Sequence, residues 1–355
     1  MDSALLSEEK TILKLRTLYR RFGYLPYKMN RFEEYDLYVK NKNFLISDNI
    51  ITFTDTSGKL MALKPDVTLS IVKNSKDIKG FVQKVCYNEY VCRPSGAGKS
   101  FREIMQTGLE CIGDVDAYCR AEVLILAAES LKEIADTSLL SVSHLGIIAD
   151  VLDSMDISAD VRTELVKCIQ EKNVHDAEKI CAEAGVSSPA FETLSAIMKA
   201  SGNPDDVFAV LKTILPGNAD VAEFETIIGL LPKNTVRIDF SLLNDMHYYT
   251  GIVFQGFVEG VASAVLSGGE YDLLMEKMGK KSKALGFAVY LDKLVFDNAE
   301  QYDVDTLVIY DTDTDPAVVT KKIRELQKEG KTVSAQKMVP EMFRYRELIR
   351  MDGGN

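Results

Sequence analysis

The sequence predicts an α+β fold: an antiparallel sheet flanked by helices, broken by an all-helical insertion and followed by a short C-terminal α/β unit. Three observations predict it. Short strand-like runs joined by short connections lie on both sides of a central stretch, strand signals vanish between Asp153 and Pro232, and a new apolar run begins after Tyr302. Parallel neighbours need a crossover of about a dozen residues or more, so short connections favour antiparallel pairing over β-α-β units. The boundaries that follow are 1–152 and 233–298 for the two parts of the core, 153–232 for the insertion and 302–355 for the last unit.

Taken in order, apolar residues at helical spacing (Ile12, Leu13, Leu15, Leu18) predict an amphipathic helix from Ser7 to Phe22. Short alternating runs from Leu45 to Leu63 read as a hairpin with Asp55-Thr56-Ser57-Gly58 at its tip. Further strands are predicted at Phe81–Val91, Ile104–Ile112, Val236–Leu243, Thr250–Val258 and Ala262–Ser267. The insertion carries helical patterns such as Val161–Glu171 and Val207–Leu215, punctuated by Gly202-Asn203-Pro204. In the last unit a strand at Thr306–Tyr310, a helix at Pro316–Glu329 and a strand at Thr332–Ser334 share only 54 residues, near the lower limit for an independent domain.

Composition narrows the function classes. A chain of 355 residues with 46% hydrophobic content can bury a substantial core in two or three domains. Its start has no basic segment followed by an apolar one, and no run approaches the ~20 apolar residues of a membrane span, so a cytoplasmic protein without a membrane partner is expected. The net charge of -11 would repel a polyanion. Six cysteines without C-x-x-C spacing and three isolated histidines point to reduced thiols rather than zinc, and no cofactor is expected.

Four motifs carry the chemistry. Gly96-Ala97-Gly98-Lys99-Ser100 invites a phosphate-loop reading, but the pattern needs a glycine where Arg93 stands, so a hairpin loop is the better reading. On a strand, Gln106, Gly108 and Glu110 share one face, with the glycine leaving room for a ligand; a solvated face is the commoner origin of such a pattern. Asn244-Asp245-Met246-His247-Tyr248-Tyr249-Thr250-Gly251 and Ser267-Gly268-Gly269-Glu270-Tyr271-Asp272, each alone, would mean packing and turns. Their joint presence and order mean more.

Leu63-Lys64-Pro65-Asp66-Val67-Thr68 resembles the L-R-P-E-G-T element of histidyl-tRNA synthetases, and more closely the L-R-P-D-x-T form of their paralogues, the ATP phosphoribosyltransferase regulatory subunits. Arg102–Glu110 resembles the motif 2 strand, His247–Phe254 the histidine-binding tyrosine segment, and Gly268–Leu294 the stretch ending in motif 3. All occur in family order over residues 1–296, with the helical insertion in its family place. The resemblance implies a class II aminoacyl-tRNA synthetase-like core. It also implies a histidine-like pocket of Asp66, Thr68, Gln106, Glu110, Tyr248 and Tyr249, with the first three toward an α-amino group and Glu110 and Tyr248 toward an imidazole.

Departures from the family pattern imply lost catalysis. Counting back from Arg93-Pro94, the arginine that the family sets against the α-phosphate of ATP falls on Tyr90, the motif 3 arginine on Lys293 and the arginine for the substrate carboxylate on Asn244. His247 stands in place of an acid, and Glu270 replaces an arginine, reversing a charge beside the pocket. Tyrosine and asparagine cannot offer a bidentate cationic fork, and losing one such donor typically costs on the order of 10²–10³ in rate.

By resemblance, then, the chain has no catalytic residues of its own. The resemblance implies that it activates a short-form ATP phosphoribosyltransferase catalytic subunit, mediates histidine feedback and self-associates through the N-terminal helix and the region Tyr27–Tyr38, where Asn30 takes the motif 1 proline position. Free histidine is the expected ligand, and tRNA is not an expected partner because the last unit is about half the length of an anticodon-binding domain. The alternatives are a degenerate enzyme forming histidyl-adenylate and a free-standing histidine-binding regulator; the pocket could also be merely structural.

Overall fold

The computed structural model describes residues 6–45, 49–95, 100–243, 248–294 and 302–351. Two compact units divide the chain, Met1–Val295 and Phe296–Asn355.

The larger unit is organised by a nine-stranded sheet in the order Leu25–Pro26, Val82–Ser95, Ser100–Gly113, Lys283–Tyr290, Leu266–Glu270, Ile252–Val258, Ser138–His144, Val236–Asp239, Ser201–Gly202. Its central pairings are antiparallel, as expected, but Leu25–Pro26 and Val236–Asp239 each run parallel to their inner neighbours. The two long strands Val82–Ser95 and Ser100–Gly113 form one hairpin whose register runs from Val82↔Gly113 to Ser95↔Ser100. A phosphate loop would feed a helix; here the chain enters another strand, although residues 96–99 themselves lie outside the described residues.

The first helix, Ser7–Arg21, buries Leu15, Leu18 and Tyr19, and Gly23 takes a left-handed conformation just beyond its end (φ +86°). It packs on the long helix Ala117–Ile134, where the Tyr19 hydroxyl meets Ser130 Oγ at 3.1 Å. That long helix is capped by Asp116, which accepts from the Cys119 N–H at 2.9 Å. The 45–63 hairpin forms as expected from Thr52–Thr54 and Leu60–Leu63, joined by Phe32–Glu34. At its tip Asp55 Oδ1 accepts from the N–H groups of Ser57 (2.8 Å) and Lys59 (2.9 Å).

Five helices, Ala159–Gln170, Val174–Glu183, Ser188–Lys199, Pro204–Ile214 and Ala219–Gly229, occupy the predicted insertion. Two begin earlier than expected because Ser158 and Asn203 cap them with side-chain oxygens. Strand structure does not vanish there: Ser201–Gly202 pairs with Val236–Asp239. Other boundaries also move. The strand predicted to reach Leu243 stops at Asp239, whose Oδ1 accepts from the Ser241 N–H at 3.0 Å and turns the chain. The strand predicted at 262–267 lies at Leu266–Glu270, because Gly268-Gly269 belongs to the strand and not to a turn. Ser138–His144, near one end of the sheet, was not read as a strand at all.

The smaller unit is a parallel sheet in the order Val333–Gln336, Val304–Ile309, Tyr345–Arg350, with the helix Pro316–Lys328 as crossover. Its third strand was not anticipated. No described helix is long and apolar enough to cross a membrane. Among the described residues, no three His, Cys, Asp or Glu side chains gather as a metal site, and all six cysteines are free.

Candidate functional site: an amino-acid-sized pocket on the sheet

The Lys64–Thr68 element is fixed before it can present anything. The Lys64 side chain is 1% exposed, and its Nζ donates to Glu89 Oε2 at 2.8 Å. The Lys64 N–H donates to the Arg31 carbonyl, and its own carbonyl accepts from the Cys92 N–H at 2.8 Å. A buried, paired lysine thus clamps the loop to the strand Val82–Ser95, and a lost partner would leave an uncompensated buried charge. Two residues later Asp66 Oδ1 accepts from the Leu69 N–H at 3.0 Å and starts the short helix Thr68–Asn74.

This loop forms one wall of a pocket of about 180 Å³ whose floor is the sheet. All six residues anticipated from the sequence (Asp66, Thr68, Gln106, Glu110, Tyr248 and Tyr249) line it together. The period-two reading of Gln106 and Glu110 places both on the pocket face. Gly108, however, does not leave room for a ligand: a Cβ there would lie 2.6 Å from the Tyr87 hydroxyl and 2.2 Å from the Phe287 carbonyl, so the tyrosine takes that space. The glycine that matters to Glu110 is its partner across the ladder, Gly286, where a Cβ would fall on the carboxylate itself, 1.8 Å from Oε2.

Glu110 is the centre of the site. It is 2% exposed, and its oxygens accept from Thr68 Oγ1 at 2.8 Å and from the Tyr271 hydroxyl at 2.6 Å. Both bonds favour the charged form, yet burial outweighs them and pushes its pKa up to about 8. Burial also raises the Asp66 pKa above the ordinary carboxylate value, opposed chiefly by the Arg93 guanidinium. Gln106 is 2% exposed, and its Nε2 has no hydrogen-bond partner among the described residues. Aromatic rings close one side: Tyr248 packs edge-on to Tyr249 (4.6 Å between centroids) and to Phe44 (5.9 Å). A Cβ on Gly269 would strike the Tyr249 ring at 2.7 Å, which is why the double glycine sits inside the strand. The site can therefore accept hydrogen bonds from a cationic or N–H-bearing group at Glu110 and Asp66, against an aromatic wall.

The positions that depart from the family pattern behave differently. Tyr90 is 42% exposed and does not line the pocket. Lys293 Nζ donates to the Ala264 carbonyl at 2.7 Å and rests at 4.6 Å over the ring of Tyr290, a lining residue, without itself lining the pocket. Asn244 and His247 lie outside the described residues. Glu270 needs correction, because it does not stand beside the pocket. It is buried, its Oε1 accepts from the Ile252 N–H at 3.0 Å, and its Oε2 accepts from Arg120 Nε at 3.0 Å. Arg120 also reaches Glu223 on the helix Ala219–Gly229 at 3.0 Å, so this charge joins sheet to insertion. Side-chain alternation along Leu266–Glu270 explains the error, since Ser267 faces the pocket and Glu270, three residues on, faces away.

Sequence reasoning missed Arg93, Tyr87, Tyr271 and Tyr290 as lining residues. Tyr87 and Arg93 share the parity of one strand face, and that spacing is the sequence signal that could have found them.

The histidyl-tRNA synthetase family model matches residues 4–294. The chain is 25% identical over 300 residues to an ATP phosphoribosyltransferase regulatory subunit from Oceanobacillus iheyensis, covering 82% of this chain and 74% of that protein. It is 28% identical over 340 residues to a histidine–tRNA ligase from Methanocaldococcus jannaschii, covering 92% and 81%. Among solved structures, one described as an ATP phosphoribosyltransferase regulatory subunit/histidyl-tRNA synthetase from Bacillus halodurans superposes with a TM-score of 0.80 at 21% identity, over 97% of this chain and 93% of that one. These likenesses place the sheet and its insertion in the class II synthetase fold. With nearly all of the larger unit matched, the chain belongs to the histidyl-tRNA synthetase family.

Proposed function

We propose that the chain is a non-catalytic regulatory subunit of ATP phosphoribosyltransferase in the first step of histidine biosynthesis. In this reading it activates a short-form catalytic subunit and carries histidine feedback from the pocket around Glu110. The observation that carries the proposal is the split fate of the site. The residues suited to an amino acid line one pocket, whereas Tyr90 is exposed outside it and Lys293 is engaged with Ala264. Phosphoryl and adenylyl transfers depend on cationic donors aimed at phosphate oxygens, and each missing donor typically costs on the order of 10²–10³ in rate. The likeness to a regulatory subunit from Oceanobacillus iheyensis supports the same reading. Self-association through the helix Ser7–Arg21 and residues 27–38 belongs to it as well, and exposed Leu6, Leu13, Leu25 and Phe32 are suited to an interface.

Size-exclusion chromatography with a short-form catalytic subunit tests the assembly: co-elution is expected, and separate elution favours a free-standing regulator. Within that assembly Glu110→Ala is expected to leave co-elution intact and to remove most of the histidine inhibition of the transferase. Unchanged inhibition would place the regulatory site elsewhere. A second reading, a degenerate enzyme that forms histidyl-adenylate, is favoured by the likeness to the histidine–tRNA ligase from Methanocaldococcus jannaschii. Histidine-dependent ATP–pyrophosphate exchange distinguishes it.

A further inference from the structure

We infer that Arg93 holds the α-carboxylate of the pocket's ligand, so that the site selects free zwitterionic amino acids over relatives that lack the carboxylate. The inference rests on the histidine reading above and supplies the end of the ligand that the reading leaves without a partner.

Arg93 is the one cation among the described residues lining the pocket, and its side chain is 14% exposed. Its Nε donates to the Pro65 carbonyl at 3.1 Å, which fixes the plane of the guanidinium. Its Nη2 stays 4.0 Å from Asp66 Oδ2. A charge-assisted hydrogen bond closes to about 2.7–2.9 Å, so the Asp66 contact is not closed, and although the guanidinium also hydrogen-bonds the Tyr290 side chain, its five donors leave capacity for a ligand carboxylate. A carboxylate of the ligand fits the guanidinium edge, because the planar fork is matched to two carboxylate oxygens.

Gln106 supplies an independent sign of a ligand. A buried amide N–H without a partner is costly, and native proteins rarely leave one unless a bound group completes it. Its Nε2 is such an atom, on the same pocket wall.

Spacing agrees with a single amino acid. Glu110 meets the loop at Thr68, and Arg93 meets it at Pro65 and Asp66. Pro65 and Thr68 are three residues apart, so at most about 11 Å of backbone separates the two anchor points. One end offers a guanidinium and the other a carboxylate, with Asp66 and Gln106 on the wall. This is the complement of a molecule bearing a carboxylate, an ammonium and a second N–H donor. Were Arg93 only a counter-ion for Asp66, a ligand without the carboxylate would bind as well as one with it.

Calorimetric titration of the full chain with L-histidine and with L-histidinol, which replaces the carboxylate by a hydroxymethyl group, tests the assignment. The wild type is expected to prefer histidine by about 30-fold or more, the scale on which a desolvated charge pair discriminates. Arg93→Gln is expected to lose that preference, weakening histidine about 30–100-fold while leaving histidinol within about threefold; Arg93→Lys should fall between. Equal binding of the two ligands by the wild type would overturn the assignment and leave the histidine pocket standing, as would Arg93→Gln that binds histidine like the wild type or loses both ligands alike. A wild type that binds neither overturns the histidine reading itself and the assignment with it. Should Arg93→Gln fail to fold, the wild-type ratio and the Arg93→Lys variant, which keeps a donor for Pro65, decide the question.

Discussion

Glu110→Gln is expected to make the ligand-free protein more stable than the wild type at pH 8, with little difference between the two at pH 5. Burial raises the Glu110 pKa from the ordinary 4.5 to about 8. Between those values the folded protein keeps a proton that the unfolded chain has released. Stability from this group is therefore fully present below about pH 4.5 and is lost as pH rises through about 8. At about 1.4 kcal/mol per pH unit the loss across the window is on the order of 4 kcal/mol. Glutamine is nearly isosteric, can accept from Thr68, can donate to Tyr271 and does not titrate. Thermal melts at the two pH values should thus converge in acid and separate by several degrees in base. A variant less stable than the wild type at pH 8 would mean that Glu110 is held ionised and that its hydroxyl partners outweigh burial.

Gly286→Ala is expected to cost about 3 kcal/mol or more and to abolish ligand binding. Its added Cβ would lie 1.8 Å from Glu110 Oε2 and 2.5 Å from the Leu109 carbonyl. The second contact is backbone of the neighbouring strand, which cannot rotate aside as a side-chain end can, so the ladder Gly286↔Glu110 must shift. Gly229→Ala is the control. It closes the helix Ala219–Gly229, meets nothing within 4 Å and is expected to be neutral or stabilising by under about 1 kcal/mol. Urea unfolding compares the pair, and a wild-type midpoint for Gly286→Ala would show that the two strands are not held as closely as described.

What the sequence disclosed and what it hid follow from the range of the interactions. Helix Ser7–Arg21, the Asp55–Gly58 tip and the shared face of Gln106 and Glu110 rest on spacing within one element, and each was legible. The side of the sheet that Glu270 faces, the partner of Gly108 and the room made by Gly286 depend on pairing between strands far apart in the chain, and local pattern says nothing of them. Ser138–His144 was hidden for a related reason: Ser141 and Ser143 are buried as deeply as the leucine and valine beside them, so its polar residues do not mark a solvent face. Gly268-Gly269 looked like a turn because close packing against Tyr249 and Phe254 demands the same residue as a bend does. The six pocket residues were reached through resemblance, whereas Arg93 came into view only when the strand Val82–Ser95 was set against the Lys64–Thr68 loop.

The central question is whether this chain regulates a transferase or activates an amino acid. The most direct test measures phosphoribosyl-ATP formation by a short-form catalytic subunit with and without this protein, beside histidine-dependent ATP–pyrophosphate exchange by this protein alone. Stimulation of the transferase without exchange is the predicted result, and exchange without stimulation would contradict it.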